Sequence, residues 1–270
     1  MIDEPNPFQR LWTLFIGLFS APVGAQRKVI AAAYGLTCHI VFAAAVLSMI
    51  IAMFFGLSRS FGTVPWPWAA LANAVLILQF PIAHSLLLSK RGRVVLAKLA
   101  PATYGQTLGT TTYAIIASLQ LLALFALWTP SGIVWWRAEG WVFWIVCGAY
   151  AASWGLLIKA SYDAGAEVQS GALGWMSMFQ GKKPVFPDMP TQGLFRFVRQ
   201  PIYVSFALTL WTVPVWTPDQ LALATAYTAY CLLAPLLKER RFLTIYGNRF
   251  REYQKTVPYA FPKVPKTKTD

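Results

Sequence analysis

The chain has 270 residues, of which 57% are apolar and only 12% are charged. A soluble domain carries about a quarter charged residues. Because the apolar residues here also come in long runs, the composition excludes an ordinary soluble domain and indicates a protein embedded in a lipid bilayer. The net charge of +13 is then explained by basic loops that contact anionic headgroups. We therefore expect membrane lipids, and not nucleic acid, as partners.

The first apolar stretch, residues 8–20, is predicted to form an N-terminal interfacial helix within the segment 1–28. A helix of this length covers about 20 Å, which is too short for a hydrocarbon core of about 30 Å. Aromatic side chains recur in it at the helical spacing typical of interfacial helices: Phe8, Trp12, Phe15 and Phe19. A signal peptide is the alternative, although the acidic residues Asp3 and Glu4 precede Arg10.

Six further apolar runs reach or approach the length that spans a bilayer. They cover residues 29–56, 66–88, 108–128, 141–158, 201–217 and 219–237. The sequence therefore predicts an all-α fold, a polytopic membrane helix bundle with about six transmembrane helices. Thr217, Pro218 and Asp219 form a short turn with a helix cap between the last two runs, which predicts a helical hairpin.

The distribution of lysine and arginine predicts the orientation of the bundle. With six spans, only Arg59 and Arg137 of the 23 basic residues lie in the loops of one side. Basic loops stay in the cytoplasm, so both termini are expected to be cytoplasmic. The longest connection, residues 159–200, lies on the same basic side, and connections of this length are often functional.

A C-terminal amphipathic helix is predicted over residues 239–257, on the cytoplasmic side. Its aromatic residues recur every three or four positions between arginines and lysines, which is typical of a helix that lies against a membrane or a bundle: Phe242, Tyr246, Phe250 and Tyr253. The tail from Pro262 to Asp270 is rich in Lys, Pro and Thr and is expected to be mobile.

Polar side chains in or beside the spans are the candidates for chemistry, because burying them in a bilayer is costly without a partner. Arg199 and Tyr203 begin the fifth span and Glu239 follows the sixth, and the hairpin turn makes these two ends neighbours. They would form a headgroup-level pocket with a cation for a carboxylate, an anion for an amine or ribose, and an aromatic face for a sulfonium. The alternative is that Arg199 snorkels to lipid phosphates while Glu239 pairs with Lys238 or Arg240.

Three ordered sequence elements carry a resemblance to a known family. Residues 193–203, GLFRFVRQPIY, resemble the signature G-x-x-x-x-x-R-H-P-x-Y of the isoprenylcysteine carboxyl methyltransferase and phospholipid methyltransferase superfamily. Residues 238–247, KERRFLTIYG, are similar to its element E-E-x-x-L-x-x-x-F-G. Tyr253, Val257 and Pro258 resemble its ending Y-x-x-Y-x-x-x-V-P. Because the three elements keep their order and spacing, together they identify the family more specifically than any one of them would alone.

Other parts of the chain are similar to one branch of that superfamily, the bacterial methanethiol S-methyltransferases, which are related to NnrU-like proteins. Five places carry this similarity: His84-Ser85, Tyr113 to Trp128, Tyr162-Asp163 with Gln169, Trp211 to Pro214, and Leu221 to Tyr230. It covers residues 29–262 and implies a single domain, 1–270, with a cofactor-binding core at 193–262. It also implies that the membrane is a bacterial inner (cytoplasmic) membrane.

The resemblance implies a methyltransferase that uses S-adenosylmethionine and acts on a small thiol or a related soft nucleophile. The residues expected to bind the cofactor come from the three elements: Arg199, Gln200, Pro201, Tyr203, Glu239, Tyr246 and Tyr253. The catalytic candidates are Arg199 and Gln200 beside the cofactor, and Asp163 and His84 on the side of the acceptor. No metal site is expected, because the three cysteines have no ligand-like spacing.

The chain departs from the signature at two positions. Gln200 stands where the signature has histidine, and Lys238 stands where it has the first glutamate. Because a glutamine side chain cannot act as a base or carry charge, other functions stay open. They are a methyltransferase for a lipid or prenylated substrate, a haem-binding protein with His39 and His84 as ligands, and a non-catalytic membrane subunit.

Overall fold

The computed structural model describes residues 6–262, so the tail predicted to be mobile lies outside the described residues except for Pro262. The α-helices are α1 Pro7–Phe19, α2 Ala25–Phe54, α3 Trp68–Leu87, α4 Lys90–Leu99, α5 Gly109–Leu127, α6 Gly140–Asp163, α7 Ala166–Gln169, α8 Ala172–Phe179, α9 Pro201–Trp211, α10 Pro218–Tyr246 and α11 Asn248–Thr256. Two short 3-10 helices, Ala102–Tyr104 and Gly193–Arg196, and two short strands, β1 Trp136–Arg137 and β2 Val215–Trp216, join them. The predicted all-α fold is confirmed.

Five helices of the described chain are long and apolar enough to cross a membrane: α2, α3, α5, α6 and α10. The chain is therefore an integral membrane protein, as predicted. The predicted fifth span, residues 201–217, contains the shorter apolar helix α9 of 11 residues and then continues through β2. Because such a helix covers only about 17 Å, the count of six crossings stays a prediction.

The helices leave two chemically different ends. At one end, the start of α9 meets the end of α10 through an ion pair between Arg199 and Glu239, and the end of α3 meets the start of α5 through His84 and Tyr113. We call this end, with the loops and short helices attached to it, the basic end, because most lysines and arginines lie there. At the opposite end, β1 pairs antiparallel with β2.

The hairpin of α9 and α10 is held at the opposite end by buried polar residues. The Thr217 hydroxyl oxygen accepts the backbone N–H of Gln220 at 2.9 Å, and Pro218 is the first residue of α10, so the predicted cap is confirmed. The buried Asp219 carboxylate accepts the indole N–H of Trp128 at 3.1 Å. These bonds hold α10 in register and determine which of its residues reach the basic end.

The predicted helix over residues 239–257 is wrong in its boundaries. Helix α10 continues to Tyr246, and a break at Gly247 separates it from α11. Gly247 has a φ of +54°, a left-handed conformation that glycine adopts without steric cost. The Phe250 ring of α11 folds back to 5.5 Å from the Phe242 ring of α10, so the C-terminal helix packs on the bundle.

The predicted N-terminal helix is present as α1 and is tied to the bundle. Arg10 Nε lies 2.9 Å from a carboxylate oxygen of the buried Glu167, and Gln180 Nε2 donates to the Leu14 carbonyl at 2.9 Å. The aromatic side chains of α1 are exposed and stack along the helix: Phe8, Trp12, Phe15 and Phe19. Such a face suits a membrane interface, and the interfacial location stays a prediction.

Candidate functional site

All three sequence elements meet at the guanidinium of Arg199, just before α9. Its Nε donates to Glu239 Oε1 at 2.8 Å, and its Nη2 donates to Glu239 Oε2 at 3.3 Å. Its Nη1 donates to the carbonyls of Val257 at 2.6 Å and Gln254 at 3.2 Å. The Arg199 backbone N–H donates to the Pro258 carbonyl at 2.9 Å. The two helix ends therefore meet, and the C-terminal element joins them.

The Glu239 carboxylate accepts four hydrogen bonds from protein side chains, two on each oxygen. Besides the two bonds from Arg199, it accepts Gln200 Nε2 at 2.8 Å and Gln254 Nε2 at 2.7 Å. Only 9% of the Glu239 side chain and 12% of the Arg199 side chain are exposed. A carboxylate offers about four lone-pair positions, so a ligand that binds Glu239 has to replace one of these donors. The pair first of all holds α9, α10 and α11 together.

The two residues that depart from the family signature contact each other. Lys238 Nζ donates to Gln200 Oε1 at 3.2 Å, and Gln200 Nε2 donates to Glu239. Lys238 Nζ also lies 5.5 Å from the centre of the Phe195 ring and 5.3 Å from that of Phe242, which are cation–π distances. A chain of hydrogen bonds thus runs from Lys238 through Gln200 to Glu239 and orients the Gln200 amide.

Asp163 and Tyr253 anchor the 3-10 helix that precedes α9. Asp163 forms an ion pair with Lys159 and accepts the backbone N–H of Leu194 at 2.8 Å. The Tyr253 hydroxyl donates to the Phe195 carbonyl at 2.6 Å. Burial raises the pKa of Tyr253, so its phenol keeps this proton at neutral pH. The roles predicted for these residues, towards the acceptor and towards the adenosine, stay predictions.

Replacing Gly193 by alanine is expected to release this anchor. Gly193 has a φ of +60°, and a Cβ at this position collides with the Asp163 carboxylate. Strain of this kind costs about 1–3 kcal/mol, so the melting temperature in detergent should fall by on the order of 5 °C. Gly148→Ala in α6 is the matched control, because a Cβ there has open space beyond the backbone of its own helix. Equal melting temperatures of the two variants would contradict the anchor.

A second group of side chains lies one helical turn along α9 from Arg199. It consists of His84, Tyr113, Tyr203 and Tyr230, all half-buried, and we call it the aromatic cluster. The Tyr113 hydroxyl lies 2.7 Å from His84 Nδ1. The Tyr230 ring centre lies 6.4 Å from that of His84 and 6.5 Å from that of Tyr203. The structure therefore brings the predicted residues His84 and Tyr203 next to the same tyrosine.

Arg241 completes this region, although the sequence motifs do not single it out. Its positive charge acts on all four residues of the aromatic cluster. Within residues 6–262, neither the Arg241 side chain nor the Tyr203 hydroxyl has a hydrogen bond or an ion pair. Helix periodicity offers a signal in retrospect: Arg241 follows Tyr230 by about three turns, so both lie on one face of α10.

The remaining predicted residues lie around these groups. Pro201 is buried as the first residue of α9, where its fixed φ favours the helix start. Tyr246 packs edge-on against Phe242, with ring centres 5.3 Å apart. His39 lies elsewhere, on α2, where its Nε2 accepts the Trp175 indole N–H at 3.1 Å. In the part of the chain that the structure describes, no three His, Cys, Asp or Glu side chains are grouped to hold a metal ion.

Known proteins similar to the chain support the family resemblance. The chain is 28% identical to a methanethiol S-methyltransferase of a Pseudomonas species over 240 residues, which are 87% of the chain and 91% of that protein. It is 25% identical to one of Mycobacterium tuberculosis over 202 residues, 72% of the chain and 78% of that protein. Similarity to nurim of Rattus norvegicus, 30% over 169 residues, covers 59% of the chain and 62% of nurim. No family model and no solved structure matches the chain. Proteins named methanethiol S-methyltransferase thus align with most of the chain, which confirms the resemblance drawn from the motifs.

Proposed function

We propose that this homologue of the methanethiol S-methyltransferases transfers the methyl group of S-adenosylmethionine to a small thiol at the cytoplasmic face of the membrane. The observation that carries the proposal is the meeting of the three sequence elements at Arg199 and Glu239, one helical turn from the half-buried aromatic cluster. The names of the relatives support methyl transfer to a thiol. The cofactor and the membrane face are inferred from the chemistry of the site and from the basic loops.

The side chains at the basic end fit the chemical groups of S-adenosylmethionine. Its sulfonium is attracted to aromatic ring faces, which Tyr203 and Tyr230 offer. Its carboxylate needs surplus positive charge, and the meeting ends of α9 and α10 carry three cations: Arg199, Lys238 and Arg241. Its ribose and amine need hydrogen-bonding groups, and the Tyr203 hydroxyl has no partner within the described residues.

The residues of the chain have to align the reactants, exclude water and accept a proton. S-adenosylmethionine supplies, when bound, a methyl group activated by a positively charged sulfur, so alignment and water exclusion contribute most of the catalysis. A thiol is reactive as its thiolate, so a base must take its proton. His84 Nε2 can accept that proton when Nδ1–H donates to the Tyr113 oxygen.

The residues around Arg199 act as a scaffold in this proposal. Asp163 and Tyr253 hold the 3-10 helix through Leu194 and Phe195 and thereby position Arg199. Gln200 keeps the Glu239 carboxylate hydrogen-bonded without acting as a base. A haem protein with His39 and His84 as ligands has less support, because the two histidines contact different residues on different helices.

Matched histidine variants test the proposal in purified protein in detergent. The parent should convert methanethiol and S-adenosylmethionine with a labelled methyl group into labelled dimethyl sulfide. His84→Gln should lower the rate by about 100-fold or more, because a general base contributes about 10²–10⁴, and it should leave donor binding by calorimetry unchanged. His39→Gln should leave both unchanged, because His39 contacts Trp175 outside the cluster.

Two results would change the proposal. Label that appears in extracted lipid, and not in a volatile thioether, would assign the acceptor to the lipid or prenylated class. No donor binding by the parent at millimolar concentration would end the methyltransferase interpretation and leave a non-catalytic membrane subunit.

A further inference from the structure

Arg241 is a half-buried cation that no residue of the described chain neutralises. It stands two residues after Glu239 on α10, and residues at this spacing do not face each other on a helix. The Glu239 carboxylate points to Arg199, Gln200 and Gln254 and is saturated there. Arg241 therefore belongs to a different face of the helix from the ion pair.

None of the acidic residues described by the structure pairs with Arg241. Six of the seven have hydrogen-bond or ion-pair partners of their own: Asp163, Glu167, Asp188, Asp219, Glu239 and Glu252. The seventh, Glu139, directly precedes α6, whose far end carries Asp163, so it lies at the opposite end of the bundle. Because a half-buried charge is costly without a partner, the counter-anion of Arg241 has to come from outside residues 6–262.

The groups around Arg241 are suited to a small anion with an apolar body. Arg241 follows Tyr230 by about three turns on the same face of α10, and its charge reaches His84, Tyr113, Tyr203 and Tyr230. The Tyr203 hydroxyl and the His84 Nε2 have no hydrogen bond within the described chain. A guanidinium and a phenol are thus unpaired beside aromatic ring faces, and both can donate to an oxyanion.

The other two cations of this region are already engaged. Arg199 donates to both oxygens of Glu239 and to two carbonyls. Lys238 donates to Gln200 and lies between two phenyl rings. Arg241 is therefore the cation of this group that is available to a ligand. The family signature leaves its position open, so the resemblance assigns it no role.

We propose that Arg241 binds a carboxylate of the ligand that occupies the aromatic cluster. The planar guanidinium matches a carboxylate with two parallel hydrogen bonds. This inference rests on the proposed function, and the carboxylate has two possible sources there. It belongs either to the methionine part of the methyl donor or to an acceptor thiol that itself carries a carboxylate.

Binding measurements on Arg241→Gln, with Arg240→Gln as the matched control, test the proposal. Arg240 is the adjacent residue on the same helix and is exposed. The probes are S-adenosylmethionine and its decarboxylated analogue, titrated into purified protein in detergent. If the donor supplies the carboxylate, Arg241→Gln weakens S-adenosylmethionine binding about 10- to 100-fold. The decarboxylated analogue then binds both variants like the parent.

A second pair of probes distinguishes the source of the carboxylate. If the acceptor supplies it, Arg241→Gln leaves donor binding unchanged but loses binding of mercaptoacetate. If Arg241→Gln fails to fold, Arg241→Lys replaces it, because lysine keeps the charge and loses the planar fork. It should weaken carboxylate binding and leave the decarboxylated donor unaffected.

The proposal is overturned if both carboxylated probes bind Arg241→Gln as tightly as Arg240→Gln, which would leave Arg241 as a contact of lipid phosphate. A parent protein that binds neither donor overturns the proposed function separately. The mercaptoacetate titration then decides alone whether Arg241 is a carboxylate site.

Discussion

Replacing Glu239 by alanine is expected to destabilise the protein by about 3–5 kcal/mol, the usual effect of breaking a buried ion pair from one side. The change leaves the donors of Arg199, Gln200 and Gln254 without an acceptor in a region where the Arg199 side chain is only 12% exposed. The melting temperature in detergent should fall by on the order of 10 °C. Donor binding should be lost as well, because the start of α9 is no longer held to the end of α10.

Glu252→Ala is the matched control for this variant. Glu252 is also a glutamate at the basic end and also has a basic partner, Lys255, at 2.8 Å. Both side chains are more than two-thirds exposed, and exposed pairs contribute about 0–1 kcal/mol. The control should therefore melt within about 3 °C of the parent. Similar melting temperatures of Glu239→Ala and Glu252→Ala would mean that the Arg199 network does not hold the basic end together.

Changing Lys238 to glutamate and Gln200 to histidine is expected to reveal strong coupling between the two positions. Lys238→Glu alone places a second carboxylate beside Glu239 and against the Gln200 oxygen, to which Lys238 now donates at 3.2 Å. Gln200→His alone places an imidazole against the Lys238 ammonium, which allows only a neutral ring. In the double variant, the imidazole can donate to a carboxylate on each side, as the family signature implies.

The double variant should therefore be more stable than the sum of the single effects by about 1–3 kcal/mol. Melting temperatures and donor affinities of the four proteins measure this coupling. Arg240→Glu combined with Gln200→His is the matched control, because Arg240 is the exposed residue on the other side of Glu239, and there the effects should add. Additive effects in both pairs would mean that the two departures from the signature are independent substitutions.

Hydropathy and turn chemistry are sufficient to predict the general position of the site. Apolar runs of spanning length identify the bundle, and the Thr217-Pro218 cap identifies the hairpin. Once α9 and α10 are antiparallel neighbours, Arg199 and Glu239 have to lie at the same end. Their contact at 2.8 Å follows from local signals combined with one topological step.

The detailed use of each side chain depends on contacts between distant segments, which a single sequence does not reveal. Arg199 can donate to the carbonyls of Gln254 and Val257 only because the helix breaks at Gly247 and α11 folds back onto the bundle. The Asp163 carboxylate accepts the backbone N–H of Leu194, which lies 31 residues away in the sequence. The Arg241 side chain has no acidic partner among the described residues, and this can be seen only once the partners of all the acidic residues are known.

A density map of the protein with S-adenosylhomocysteine, the demethylated product of the donor, tests most directly whether the ligand site lies at the aromatic cluster. We expect density against Tyr203 and Tyr230, a carboxylate within hydrogen-bond distance of Arg241 if the donor supplies it, and an intact pair of Arg199 and Glu239. Density in the groove of about 510 Å³ lined by Ala32, Ala33, Gly35, Leu36, His39 and Trp175, with none at the cluster, would contradict this assignment.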